Sequence, residues 1–313
     1  MLTKILQFIF KLPIIAQLID LLDRLRFPGF PELSLLEVAK QFKTSLTNSR
    51  ISMRAAAVSF NFFMAIFPSI IFLFSLIAYL PISDFEFKLL HAMQQVLPPA
   101  SYLAVKNTIL DIISQQRDGL LSFGVLFALF YAVTGVQSII ASFNASDVTD
   151  DNRPTWKILL VSLSLTIILI TLLVLAISLM IFTNLALDFL ISKELISYGF
   201  NYVLIVVGKW ITFYLLILFS VSFLYFLGPP QNSRSKFLSI GSVATSLLMM
   251  LLIVGFAFFV KNFGTYNTIY GSVGALIAVL VLINLNASLL LAGYEFNVGV
   301  KHLASRVKVD SQE

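Results

Sequence analysis

Six stretches of the chain are apolar over more than twenty residues, and polar residues gather between them. They run Val58–Leu80, Leu120–Phe143, Ile158–Leu187, Phe200–Leu227, Phe237–Val260 and Tyr270–Tyr294. A helix needs about 20 predominantly apolar residues to cross a hydrocarbon core of about 30 Å, and none of the six contains two charged residues. The pattern predicts an all-α, polytopic membrane protein with six transmembrane helices. The third and fourth stretches exceed a perpendicular crossing, so they are expected to tilt or to extend past the bilayer.

Shorter amphipathic patterns flank the spans. Ile15, Leu18, Ile19, Leu22 and Leu25 recur at helical spacing, as do Leu35, Val38, Ala39, Phe42 and Leu46. Ser34 and Glu37 form a capping box before the second set, and Pro28, Gly29 and Pro31 break the chain between the two. These N-terminal helices are expected to lie on the membrane surface or against helix ends. Lys11 interrupts the first apolar stretch and no small-residue cleavage site follows, so a signal peptide is not expected. Two further stripes, Phe85–Leu97 and Val105–Ile113, predict short amphipathic helices in the loop 81–119. The expected organisation is therefore 1–50 interfacial helices, 51–300 the six-helix domain and 301–313 a tail.

Composition agrees with this pattern. Only 12% of the 313 residues are charged, against 58% hydrophobic, whereas a soluble domain carries about 25% charge. The net charge of +5 reads as cationic residues on one membrane face rather than as a nucleic-acid surface. Assigned to alternate sides of the six spans, Lys and Arg fall fifteen against five, with Lys209 inside a span. The richer side is cytoplasmic by the positive-inside rule, which puts both termini there and the loop 81–119 outside.

Within the spans a few polar residues need a reason. Arg50, Arg54, Ala57, Asn61, Met64 and Pro68 are spaced four, three, four, three, four and share one face of the first helix. That face reads either as a wall of a polar pathway or as a packing seam with a kink. Lys209 lies about 13 Å along the fourth span; it reads either as a snorkelling cation or as one offered to an anionic headgroup. Gln137 and Asn284 are further substrate-path candidates; Asn144, Asn184 and Asn286 add polar atoms, and asparagines between helices also read as interhelical glue. Glu295 ends the last span at the depth where Arg54 opens the first, and an Arg54–Glu295 pair would tie the two together. Gly271 with Ala275, and Gly274 with Ala278, are small-residue pairs suited to close helix approach.

Catalytic chemistry is not expected. There is no cysteine, and His91 and His302 stand far apart. Asp147, Asp150 and Asp151 could hold Mg²⁺, but read better as a solvated loop with helix-capping aspartates before Trp156, an interfacial anchor. No catalytic residue, metal or cofactor is assigned.

Several blocks resemble the YihY/BrkB family. They are Arg54-Ala-Ala-Ala-Val-Ser-Phe with Ala65-Ile-Phe-Pro68, then Asn152-Arg-Pro-Thr-Trp-Lys157, then Tyr266-Asn-Thr-Ile-Tyr270-Gly271-Ser272 and Leu291-Ala-Gly293-Tyr-Glu295-Phe-Asn297. They cover about residues 35–300. The resemblance implies a bacterial inner-membrane protein, in a family with members linked to virulence and serum resistance, to export of envelope lipids, and to an older ribonuclease label. Together these readings lead to an expected transporter or flippase of an anionic lipid or amphiphile. Membrane lipids are the expected partners; nucleic acid is not, and a homo-oligomer is left open. The alternatives are a non-catalytic envelope scaffold and, disfavoured, a ribonuclease.

Overall fold

The computed structural model describes residues 26–27, 30–34, 40, 49–77, 106, 110, 118–145, 151–193, 200–231, 236–262 and 264–310. Most of the predicted N-terminal helices and of the loop 81–119 lies outside these residues. The described part opens with a small antiparallel pair, β1 (Arg26–Phe27) and β2 (Phe30–Ser34). The break read between two helices is thus flanked by strands, and Ser34 is the buried end of β2, while Glu37 and the helix start expected after it lie outside the described residues.

Six long helices follow: α1 (Ser49–Ile77), α2 (Asp118–Asn144), α3 (Thr155–Ser192), α4 (Phe200–Leu227), α5 (Ile240–Asn262) and α6 (Gly264–Asp310). Each contains a stretch long and apolar enough to cross a membrane. The chain is a multi-pass membrane protein. Helix α6 has 47 residues, about 70 Å at 1.5 Å per residue. It therefore carries the segment expected as a tail onward as helix, to Asp310.

Each helix packs on its neighbour in sequence, and α6 returns to α1, closing a ring of six. Helices α1 and α2 are the most intimate pair. A side chain at Gly124 would put its Cβ 2.8 Å from the backbone N of Phe72, so only glycine allows that approach. Pro68 sits inside α1 and is buried; it cannot donate to the carbonyl one turn earlier.

The packing is uneven along the ring. Even numbers of crossings return the chain to one end, here termed basal, where α1, α3 and α5 begin and α2, α4 and α6 finish crossing. The core lies there: Ile51, Ala55 and Val58 of α1, Ile139, Ile140 and Phe143 of α2, Val221 and Tyr225 of α4, and Leu291 and Tyr294 of α6. Towards the other end packing thins. No residue of α4 from Tyr202 to Ile217 is buried, nor any of α5 from Leu247 to Val260, nor any of α6 from Leu276 to Asn286.

Candidate functional site

The basal end is built around the segment Leu291–Asn297 of α6. Gly293 faces Tyr225 of α4 and Thr245 of α5; a Cβ there would fall 1.7 Å from Thr245 Oγ1 and 2.6 Å from the Tyr225 hydroxyl. The space is filled by both hydroxyls; that of Tyr225 donates to the Leu290 carbonyl at 2.6 Å and lies 3.2 Å from Thr245 Oγ1. Next to it, Tyr294 packs on Phe143 of α2 with ring centroids 4.1 Å apart, and both lie 5.8 Å from Tyr225. Three helices are thereby joined by three rings whose edges and faces meet.

Glu295 accepts a hydrogen bond from Arg54 Nη2, and the two form an ion pair with side chains about one-sixth exposed. The same guanidinium donates through Nη1 to the Ser142 carbonyl of α2 at 2.7 Å and through Nε to the Arg50 carbonyl at 3.2 Å. One arginine thus binds α1, α2 and α6, using the planar fork that lysine lacks. Two residues on, Asn297 accepts from the Gly241 N–H at 3.2 Å and donates to Ser239 Oγ at 2.6 Å. Ser239 caps α5 with Ser242: each backbone N–H donates to the other's hydroxyl, at 3.0 and 3.1 Å. The helix start that would otherwise leave donors unmet is satisfied by α6.

A second polar cluster ties α2, α3 and α4 at the same end. Arg153 donates to both oxygens of Asp151, each at 2.8 Å, and to the Gly228 carbonyl at 2.8 Å. Asn144 donates to Asp151 as well. The Asp151 side chain is 6% exposed, which corrects the reading of Asp151 as solvated, although Asn152 and Pro154 beside it are exposed; the helix cap is Pro154, without a side-chain bond. Burial was hidden because the partners, Asn144 and Gly228, come from other helices. Asp147 and Asp150 lie outside the described residues, while Trp156 is exposed with Lys157 5.5 Å from its ring centroid.

The Arg153 bonds hold the Asp151 carboxyl below its ordinary value of 3.8, against the opposing effect of burial. A depressed folded-state pKa means that the carboxylate contributes stability above the unfolded value, which is lost as pH falls through the folded one. Asp151→Asn is expected to destabilise the protein by about 2 kcal/mol at neutral pH, because it strands the Arg153 charge. In thermal unfolding scans, the difference between Asp151→Asn and the parent should be flat above about pH 5 and shrink below the ordinary carboxylate value.

The stripe on α1 divides. Arg54, Asn61 and Pro68 turn into the protein, whereas Arg50 and Ala57 are exposed. Asn61 donates to Ser138 Oγ of α2 at 2.6 Å, and Asn284 of α6 donates to Ser59 Oγ at 3.3 Å. These bonds form a seam between α1, α2 and α6, with the character of interhelical packing. Asn286 donates to the Leu282 carbonyl of its own helix at 2.8 Å. Lys209 is half-buried in the thinly packed part of α4, its Nζ 6.0 Å from the Trp210 ring centroid. Gln137 lies in a cleft between α2 and α3. The side chains of Asn184 and Tyr270 and the surroundings of Gly271 lie outside the described residues. The largest elements that sequence reasoning missed are Tyr225, Thr245 and Ser239; only the Ser239–Ser242 spacing before an apolar run carried a local signal.

Among the described residues, no group of three or more His, Asp or Glu could hold a metal ion. A family profile described as "Virulence factor BrkB" matches residues 43–313. The chain is also similar to the ribonuclease-like protein YfkH of Bacillus subtilis (strain 168), with 29% identity over 248 residues, covering 78% of this chain and 88% of YfkH. No solved structure matches it.

Proposed function

This chain belongs to the BrkB family, and from that premise we propose that it moves an anionic lipid or similar amphiphile across the bacterial cytoplasmic membrane. The observation that carries this reading is the uneven packing: a bundle locked at its basal end and thinly packed over the far parts of α4, α5 and α6. A bundle packed along its full length would leave an amphiphile nowhere to pass. Lys209 stands in the thin part, where a cation can meet an anionic headgroup at low dielectric. The basal lock also suits a scaffold that moves nothing, and the name of YfkH raises RNA cleavage; a transport assay and an RNA-cleavage assay on the same purified sample separate the three readings.

Reconstituted into liposomes, the protein is expected to expose labelled anionic lipid to a membrane-impermeant quencher faster than protein-free vesicles do. Lys209→Ala should slow this about tenfold, the weight of one charge-assisted hydrogen bond, while leaving the yield of folded protein unchanged. Absence of movement for every lipid class would overturn the proposal.

The same reading places the basal end in the cytoplasm, because the cationic excess lies there. The chain has no native cysteine, so Ser83→Cys and Ser305→Cys can be labelled individually in intact cells. An impermeant maleimide should reach the first and not the second; labelling of both from outside would reject this orientation.

A further inference from the structure

The cleft between α2 and α3 has a volume of about 260 Å³ and is open on one side. Its walls are Leu126, Leu129 and Phe130, all exposed on the outer surface of α2, with Leu159 and Leu163 of α3. Two polar residues border this otherwise apolar cleft. The Thr134 hydroxyl is donated to the Tyr131 carbonyl at 2.9 Å. Gln137 is half-buried, and its amide makes no hydrogen bond to any described residue. The neighbouring Ser138 and Ser142 on α2 both have partners, so Gln137 is the exception in its part of the helix.

Depth identifies what could satisfy it. Gln137 lies seven residues from the basal end of α2, about 10 Å along the axis. A helix of 27 residues spans about 40 Å and overhangs a core of about 30 Å by roughly 5 Å at each end. The Gln137 backbone therefore sits about 5 Å inside the hydrocarbon boundary, about one side-chain length from the glycerol ester layer. An amide there without a partner is costly. A glutamine amide supplies two N–H donors, and lipid ester carbonyls are acceptors. The walls are Leu and Phe, whereas close pairing of a second copy in a membrane favours small residues.

We propose that this cleft is a binding site for a diacyl glycerolipid, with one acyl chain along Leu126, Leu129 and Phe130 and an ester carbonyl accepting from Gln137 Nε2. The site would hold a resident lipid whether or not the protein moves lipid, and it is tested without any transport step. Full-length protein is reconstituted in phosphatidylglycerol vesicles containing a trace of phosphatidylglycerol with a mid-chain diazirine. After irradiation, adducts are mapped by mass spectrometry. Adducts should concentrate on 126–130, the depth of the mid-chain group, and fall about fivefold in Gln137→Leu, the weight of one neutral hydrogen bond. A dialkyl ether probe, which lacks the carbonyls, should label the parent only at the level of that variant. If Gln137→Leu folds poorly, Gln137→Met, closer in length, takes its place. Equal labelling of Ile167 and Leu173, exposed elsewhere on α3, would overturn the site. So would protein-to-protein crosslinks at Gln137 in place of lipid adducts, or ether labelling equal to ester labelling.

Discussion

Gly293→Ala is expected to abolish most of the folded protein, although it adds only a methyl group. The new Cβ would lie 1.7 Å from Thr245 Oγ1 and 2.6 Å from the Tyr225 hydroxyl, and neither can retreat. Tyr225 is fully buried and anchored on the Leu290 carbonyl, and Thr245 is buried on the opposing helix. Overpacking of a well-filled core costs about 1–3 kcal/mol and occasionally more; this contact falls at or above the upper bound, so about 3 kcal/mol or more is expected. The clash also names its own remedy. Thr245→Ala removes the nearest atom and should restore part of the lost stability in the double variant, whereas Thr245→Ser keeps the oxygen and should restore little. Monodispersity and unfolding temperature in detergent measure both. Recovery by the serine variant equal to that by the alanine variant would show that the oxygen is not the obstacle.

Breaking the Arg54–Glu295 pair from one side should cost about 3 kcal/mol, because the remaining charge is left partly buried without its counterpart. Arg54→Gln is expected to be the more damaging single change, since it also frees the Ser142 carbonyl. The double variant Arg54→Gln, Glu295→Gln should lose less than the sum, with a coupling of roughly 1–3 kcal/mol for groups in direct contact. Arg54→Lys separates charge from geometry: it keeps the cation but cannot bond Glu295 and Ser142 in the fixed directions of the fork, so an intermediate loss is expected. Strict additivity in chemical denaturation would reject the coupling.

Much of this was legible before any coordinates, and the reason is physical. A bilayer judges each segment by length and apolar content, which are properties of a string. The six spans therefore follow from the order of residues alone, as does the depth argument that put Arg54 and Glu295 at one level. The segment Leu291–Asn297 stood out only as a resemblance to known proteins; its sequence does not say why glycine, tyrosine, glutamate and asparagine stand together. In the structure each meets a different helix: Gly293 admits Tyr225 and Thr245, Tyr294 packs on Phe143, Glu295 takes Arg54, and Asn297 caps α5.

The misreading of Asp151 has the same origin. A carboxylate in a short loop looks solvated when only its neighbours in sequence are considered. The Asp151 side chain is covered because α2 supplies Asn144, and Arg153 reaches on past the end of α4 to Gly228. Nor could periodicity show that Ala57 faces outward while Asn61 turns to Ser138, because the face a helix presents depends on which neighbours surround it. The sequence by itself determined the membrane class, the number of apolar spans and the common level of Arg54 and Glu295, since solvent partition acts on each segment separately. Only the tertiary structure decided which polar groups meet and where the ring packs tightly, because those depend on distances between helices that no single segment encodes.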